Sequence, residues 1–213
     1  LGLTEILFDP PPFRPPPQSG ESDPERQVAE LEESPAATEV NLPDPPPLTG
    51  PPWSFDEAQQ RLHRALWDFQ EAKDALEALH RSAPHLAEDC LEILQDRLSE
   101  DEAVLFLILL TRVAFSFCPP GTRHPPLDFD ALADSFENQL LNLEGNLRSQ
   151  NPSSMDRFFQ TSGQPELVMM VAASLFEAEK GIPKKHRPRL ESQVCIMAML
   201  KAVIDELDAA LRK

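Results

Sequence analysis

The sequence is poor in glycine and cysteine and has no tyrosine: 7 Gly, 3 Cys and no Tyr among 213 residues. The few glycines form neither a G-x-G nor a G-x-x-x-x-G-K arrangement, which excludes phosphate-binding loops of those kinds. Three widely spaced cysteines cannot form a disulfide framework and are typical of buried thiols in a reducing compartment. We therefore predict that the protein resides in the cytoplasm or another reducing intracellular compartment.

Basic residues are also scarce. The chain has 19 Lys+Arg against 36 Asp+Glu, which gives a formal charge of −17. Binding to nucleic acid requires a basic surface that neutralises phosphates, and this chain would repel them. The charge balance excludes nucleic-acid binding and leaves proteins as the expected partners, or self-association.

Proline is abundant but unevenly placed. Residues 1–52 hold most of the 23 prolines, together with ten acidic residues and two basic ones, a net charge of −8. Proline fixes φ and removes a backbone donor, so these runs favour extended polyproline II conformation. We predict a Pro-rich acidic arm over residues 1–52 and a separate domain over residues 53–213.

Residues 53–213 show helical periodicity throughout and no competing strand pattern. The spacings Ser54–Glu57 and Ser99–Glu102 are capping boxes, which mark helix beginnings. We predict an all-α domain, a compact helical bundle or array of six substantial helices and one short one. Their approximate bounds are 54–80, 84–98, 100–117, 129–149, 152–159 (the short one), 165–181 and 188–211.

The segment 103–117 is apolar on every face. A membrane span needs about 20 apolar residues, whereas this run is shorter, contains Arg112 and ends at Cys118-Pro119-Pro120. We predict that it is the central helix of the bundle, covered on all sides.

Two other helices carry clear apolar stripes that predict the side facing the core. The stripe of the helix at 129–149 comprises Phe129, Leu132, Phe136, Leu140, Leu143 and Leu147. The stripe of the last helix comprises Leu190, Val194, Met197, Leu200, Val203, Ile204, Leu207 and Leu211.

No residue pattern predicts catalysis, a cofactor or a metal site. Glu77 and His80 have the Glu-x-x-His spacing of bundle di-metal sites, but such sites use that motif twice and the chain has it once. Cys90 and Cys195 lie on apolar stripes, where a buried thiol is the ordinary case. We predict that the protein is not an enzyme, while an activity built from residues that only the fold brings together stays open.

One basic cluster lies before the last helix and comprises Lys184, Lys185, Arg187 and Arg189. It could contact an anion, an acidic partner or, at most peripherally, a membrane surface. It could equally pair with acidic groups of the same chain, which is the more ordinary role of a short charged run.

The beginning of the arm combines apolar and acidic residues. Leu3, Ile6, Leu7 and Phe8 precede the first proline run, and Phe13 follows it. These five residues form a candidate docking peptide for a protein partner, with the prolines as stiff spacers. The alternative is that they fold back over the helices of their own chain.

These observations favour a non-enzymatic protein–protein interaction module: an adaptor, assembly subunit or regulatory subunit that uses its helical domain and its arm. One alternative is a helical-bundle enzyme or small-ligand carrier. Its pocket would lie beside five apolar side chains: Phe106, Phe115, Phe136, Met169 and Met170. A second alternative is a peripheral membrane-surface binder that uses residues 184–189.

Overall fold

The computed structural model describes residues 42–64, 72–149, 152–181 and 187–213, and within them the only regular elements are helices. The first four are α1 (Phe55–Arg64), α2 (Ala72–Ser82), α3 (Leu86–Ile93) and α4 (Glu100–Phe117). The second four are α5 (Phe129–Ser149), α6 (Pro152–Gln160), α7 (Pro165–Gly181) and α8 (Leu190–Leu211). The predicted all-α class is thus confirmed for the described part of the chain.

Helices α1 and α2 both lie within the single helix predicted across 54–80. Residues 65–71 between them lie outside the described residues, so the continuity of that helix stays a prediction. The remaining helices correspond one to one with the predicted elements.

The predicted helix at 84–98 is shorter than expected. Helix α3 ends at Ile93, and Asp96 has a φ of 64°. A left-handed residue cannot continue a right-handed helix, and aspartate is among the few residue types that adopt this conformation readily. The apolar stripe alone did not reveal this turn, because Leu94 stays in the core, only 2% exposed.

Helix α8 is the most deeply buried element of the core and packs against α4, α5 and α7. It buries polar as well as apolar residues, including Lys201 and Asp208. Helix α4 also contacts five helices, but it is not covered on all sides as predicted, because Val104 is 53% exposed. Its neighbours bury the last five residues of the helix, from Val113 to Phe117.

Three residues of the predicted stripes lie outside the core. Phe129 begins α5, Leu147 lies in its last turns and Leu190 begins α8. All three are exposed, Leu190 by 68%. Periodicity identifies the inward face but not how far along the helix its neighbours reach, so the prediction fails at helix ends.

Residues 42–53 form an extended segment that lies against the helices, and we call this segment the strap. The Arg123 amide donates to the Pro43 carbonyl at 2.8 Å, and the Leu48 amide donates to the Leu211 carbonyl at 2.8 Å. The strap ends at the buried Trp53, whose ring centroid lies 4.9 Å from that of Phe117. The end of the Pro-rich region therefore belongs structurally with the helices.

Candidate functional site

The structure describes only part of the predicted contact residues. Leu3, Ile6, Leu7, Phe8 and Phe13 lie outside the described residues, as do Lys184 and Lys185. Arg187 and Arg189 are described, and they precede α8.

Arg189 pairs with an acidic residue of its own chain. Its backbone amide donates to Glu102 Oε1 at 2.9 Å, and its guanidinium donates through Nη2 to Oε2 at 3.1 Å. The hydrogen bond and the charge of Glu102 raise the pKa of Arg189. Arg189 thus joins the beginning of α8 to the beginning of α4.

Glu102 is the buried member of that pair, only 5% exposed. The Ser99 amide also donates to it at 2.8 Å, as the capping-box spacing predicts. Burial alone would raise the pKa of Glu102, but the hydrogen bonds from Arg189 and Ser99 outweigh it and lower the pKa to about 2. The carboxylate therefore stays ionised throughout the physiological range.

An apolar surface lies immediately after this pair on α4. Val104 is 53% exposed, and Leu107 and Ile108 are half-buried. Side chains three and four positions apart share one helix face, so these three form a continuous line, which we call the α4 stripe. The sequence prediction missed it, because a run that is apolar on every face does not show which face stays uncovered.

A buried polar cluster connects α8 with the α6–α7 turn. Lys201 is fully buried, and its Nζ donates to Asp205 Oδ2 at 2.6 Å. The other Asp205 oxygen accepts from Ser162 Oγ at 2.5 Å and from the Gly163 amide at 3.1 Å. The hydrogen bonds that Ser162 and Gly163 donate to Asp205 fix the turn onto α8.

A second set of hydrogen bonds continues from that turn to the strap. Gln164 Nε2 donates to Asp208 Oδ1 at 2.6 Å, while Gln164 Oε1 accepts from the Trp53 amide at 2.8 Å. Arg212 donates to Asp208 Oδ2 at 2.7 Å and to the Gly50 carbonyl at 2.6 Å. Gln164 and Arg212 thus fix the strap to the end of α8, and the hydrogen bond and charge of Asp208 raise the pKa of Arg212.

A groove of about 670 Å³ lies between α1 and the end of α4. Glu57, Arg61 and Arg64 line it from α1, and Phe115 and Pro119 line it from the other side. The Arg61 guanidinium donates to Glu57 Oε1 at 3.1 Å and lies 4.3 Å from the centre of the Trp53 ring. The lining thus combines charged side chains of both signs with apolar ring surfaces.

The pocket predicted from apolar residues has only one of its five members at this groove. Phe115 lines it, whereas Phe106 and Phe136 are fully buried in the core. Met169 and Met170 are half-buried on α7. Aromatic and methionine side chains at helical spacing here serve mainly as core.

The titratable residues considered as metal ligands or nucleophiles have ordinary surroundings. In the described ranges no three His, Cys, Asp or Glu side chains are grouped to hold a metal ion. Glu77 lies 3.7 Å from Lys73 Nζ, and His80 is exposed. Cys90, Cys118 and Cys195 are free and buried, and burial raises the pKa of each thiol, that of Cys118 to about 12.

No helix of the described chain combines the length and the apolar character needed to cross a membrane. No family model, curated protein or solved structure matches the chain. Its function is therefore inferred from its own residues and their contacts.

Proposed function

We propose that the protein is a non-enzymatic protein–protein interaction module, an adaptor, assembly subunit or regulatory subunit of a reducing intracellular compartment. Two surfaces would contact partners: the α4 stripe and the apolar-acidic beginning of the arm, with Leu3, Ile6, Leu7, Phe8 and Phe13. The α4 stripe is the observation that carries the proposal.

The stripe has the composition of the centre of a protein interface. Val104 exposes 53% of its surface, and Leu107 and Ile108 extend the apolar line along the helix. The cores of protein interfaces are apolar and poor in charge, with polar residues at the rim. On one side the stripe is bordered by acidic residues, because Glu100 and Asp101 are exposed at the beginning of the same helix.

Charge determines the kind of partner. Two copies of a chain with a formal charge of −17 repel each other, whereas a basic protein is attracted. We propose a partner protein that presents apolar side chains flanked by Lys or Arg. The apolar residues would cover Val104, and the basic ones would approach Glu100.

Substitutions that leave the core intact test this proposal. Val104→Glu adds a charge at the most exposed residue of the stripe, and Leu141→Glu is the matched control, since Leu141 is 67% exposed on α5. Proteins that co-purify with the full chain would be identified, and their affinities measured for both variants at low and moderate salt. We expect Val104→Glu to weaken binding at least tenfold and Leu141→Glu to change it less than twofold.

The arm is tested in the same full-length chain. Ile6→Asp combined with Phe8→Asp removes apolar character from the arm and leaves the helices unchanged in sequence. Loss of a partner that Val104→Glu retains would identify a separate arm surface. If both variants keep every partner at unchanged affinity and the protein sediments as a monomer, the proposal is wrong.

The groove favours one second candidate, a small-ligand carrier. Its volume of about 670 Å³ admits a small molecule, and Arg64, which lines the groove together with Asp56 and Glu57, is the group that would pair with a carboxylate or phosphate. Ligand-observed NMR with a panel of small anions, on the native chain and on Arg64→Ala, checks this function. Binding that Arg64→Ala abolishes would support a carrier, and a panel without binders would exclude it for those compounds.

A further inference from the structure

The loop between α4 and α5 joins two distant segments through neighbouring backbone amides. The Arg123 amide donates to Pro43 in the strap at 2.8 Å, and the His124 amide donates to the Ser82 carbonyl at the end of α2 at 3.0 Å. We call this meeting point of loop, strap and α2 the junction. Any movement of residues 123 and 124 changes both contacts.

The side chain of His124 lies inside the junction. It is 5% exposed, and its ring centroid lies 5.9 Å from that of Phe115. Neither ring nitrogen forms a hydrogen bond with the described residues. Buried polar groups nearly always have partners, so an unpartnered imidazole requires a physical explanation.

Among the described residues, no carboxylate lies against the ring to balance a positive charge, and only two backbone carbonyls are near it. Helix α4 presents the Phe115 ring and the Ala114 carbonyl, and α2 presents the Ser82 carbonyl. The charged residues nearest in sequence to these contacts are cations, Arg81, Arg112 and Arg123. Asp44 of the strap is exposed to solvent, and it does not contribute to the titration of His124.

We infer that His124 is a proton-sensitive latch: its neutral ring keeps the junction closed, and its protonation opens the junction and releases the first residues of the strap. An imidazolium must donate from both nitrogens; the nearby carbonyls of Ala114 and Ser82 do not form hydrogen bonds with the buried ring, and it is fully hydrated only outside the junction. Because residues 123 and 124 move with the ring, Pro43 and Ser82 lose their donors. The strap stays attached at its other end through Leu48 and Trp53, and the helices stay folded.

The direction and size of the effect follow from the titration. Burial lowers the pKa of His124 to about 4, and the carbonyls of Ala114 and Ser82 offset this only in part. An exposed histidine has an ordinary pKa of about 6.5. The closed junction is therefore most stable above pH 6.5 and weakens as the pH falls towards 4. With these two pKa values, the open-to-closed ratio rises about 30-fold between pH 7.5 and pH 5.

Amide exchange measured by NMR on the full chain tests this inference. After correction for intrinsic exchange, we expect the protection of the Arg123 and His124 amides to fall about 30-fold from pH 7.5 to pH 5. Amides within α4 and α8 should keep their protection. The variant His124→Phe should lose this pH dependence, and His85→Phe should keep it because the His85 side chain is 79% exposed.

Three outcomes would overturn the latch. One is an equal loss of protection in His124→Phe, and another is simultaneous loss across α4 and α8, which would indicate global unfolding. The third needs no variant and applies even if His124→Phe fails to fold. If the native His124 ring titrates near pH 6.5 while the Arg123 amide stays protected, protonation does not open the junction.

Discussion

Arg189 binds the carboxylate of Glu102 in the first turn of α4. Its backbone amide lies 2.9 Å from Oε1, and its guanidinium Nη2 lies 3.1 Å from Oε2. The two residues lie 87 positions apart in the sequence, so this contact joins the beginnings of α4 and α8. The same contact pairs Arg189 with an acidic group of its own chain, and Arg189 belongs to the basic cluster predicted as a candidate contact for an anion or an acidic partner.

Removing the carboxylate should destabilise the domain. Glu102→Ala leaves the amides of Ser99 and Arg189 without their acceptor, and we expect a loss of about 1–3 kcal/mol in the free energy of unfolding. Urea denaturation followed by circular dichroism measures it. Glu100→Ala, on the exposed first residue of the same helix, should stay within about 0.5 kcal/mol of the native chain.

The same carboxylate should make stability fall in acid. Its pKa is about 2 in the folded state against an ordinary 4.5, so the unfolded chain takes up the proton first as the pH falls below 4.5. The contribution is complete above pH 4.5 and disappears towards pH 2, a change of about 1–2 kcal/mol after allowance for solvent screening.

Unfolding free energies of the native chain and Glu102→Gln, compared from pH 7 to pH 2, isolate this contribution. Titration of His124 affects both chains equally and cancels in the difference. A difference that stays constant down to pH 2 would contradict the assignment.

Gly163 should not tolerate a side chain. A Cβ at this position would overlap the carboxylate of Asp208, which Gln164 and Arg212 hold in place. We expect Gly163→Ala to lower the free energy of unfolding by about 1–3 kcal/mol.

Gly145 provides the matched control for this substitution. It lies inside α5, and a Cβ there would meet nothing within 4 Å. Gly145→Ala should raise stability by about 0.5–1 kcal/mol, because alanine loses less conformational freedom in a helix. If Gly163→Ala raises the free energy of unfolding as Gly145→Ala does, Asp208 can move aside.

Gln164 should hold the strap. Gln164→Leu leaves the Trp53 amide without an acceptor and removes one donor from Asp208, both in buried surroundings. We expect a loss of about 2–4 kcal/mol and faster exchange of the Trp53 amide. The control is Gln59→Leu, because Gln59 is exposed on α1. If the Trp53 amide exchanges equally slowly in both variants, Gln164 does not anchor the strap.

The helices were predictable from the sequence because their signals are local. The capping-box spacing at Ser99 correctly predicted the beginning of α4 and the hydrogen bond between the Ser99 amide and Glu102. The middle of the α5 stripe, from Leu132 to Leu143, is buried as its periodicity predicts. Each of these signals lies within a few residues along the chain.

The contacts that build the candidate sites were not predictable, because their partners are far apart in sequence. Trp53 and Gln164 lie 111 positions apart, and no local pattern pairs them. Lys201 offered only the weak signal of a charge inside an apolar run. His124 offered none, since its isolation from polar partners exists only in the folded chain.

The strap has a consequence for the order in which the chain folds. Arg212 binds the Gly50 carbonyl across 162 positions, and the Leu48 amide binds Leu211. During synthesis the strap emerges first, so these two hydrogen bonds form only after residues 211 and 212 have been made. The partners of Pro43 and Trp53, Arg123 and Gln164, are made earlier, so residues 48–50 are the last part of the strap that can attach.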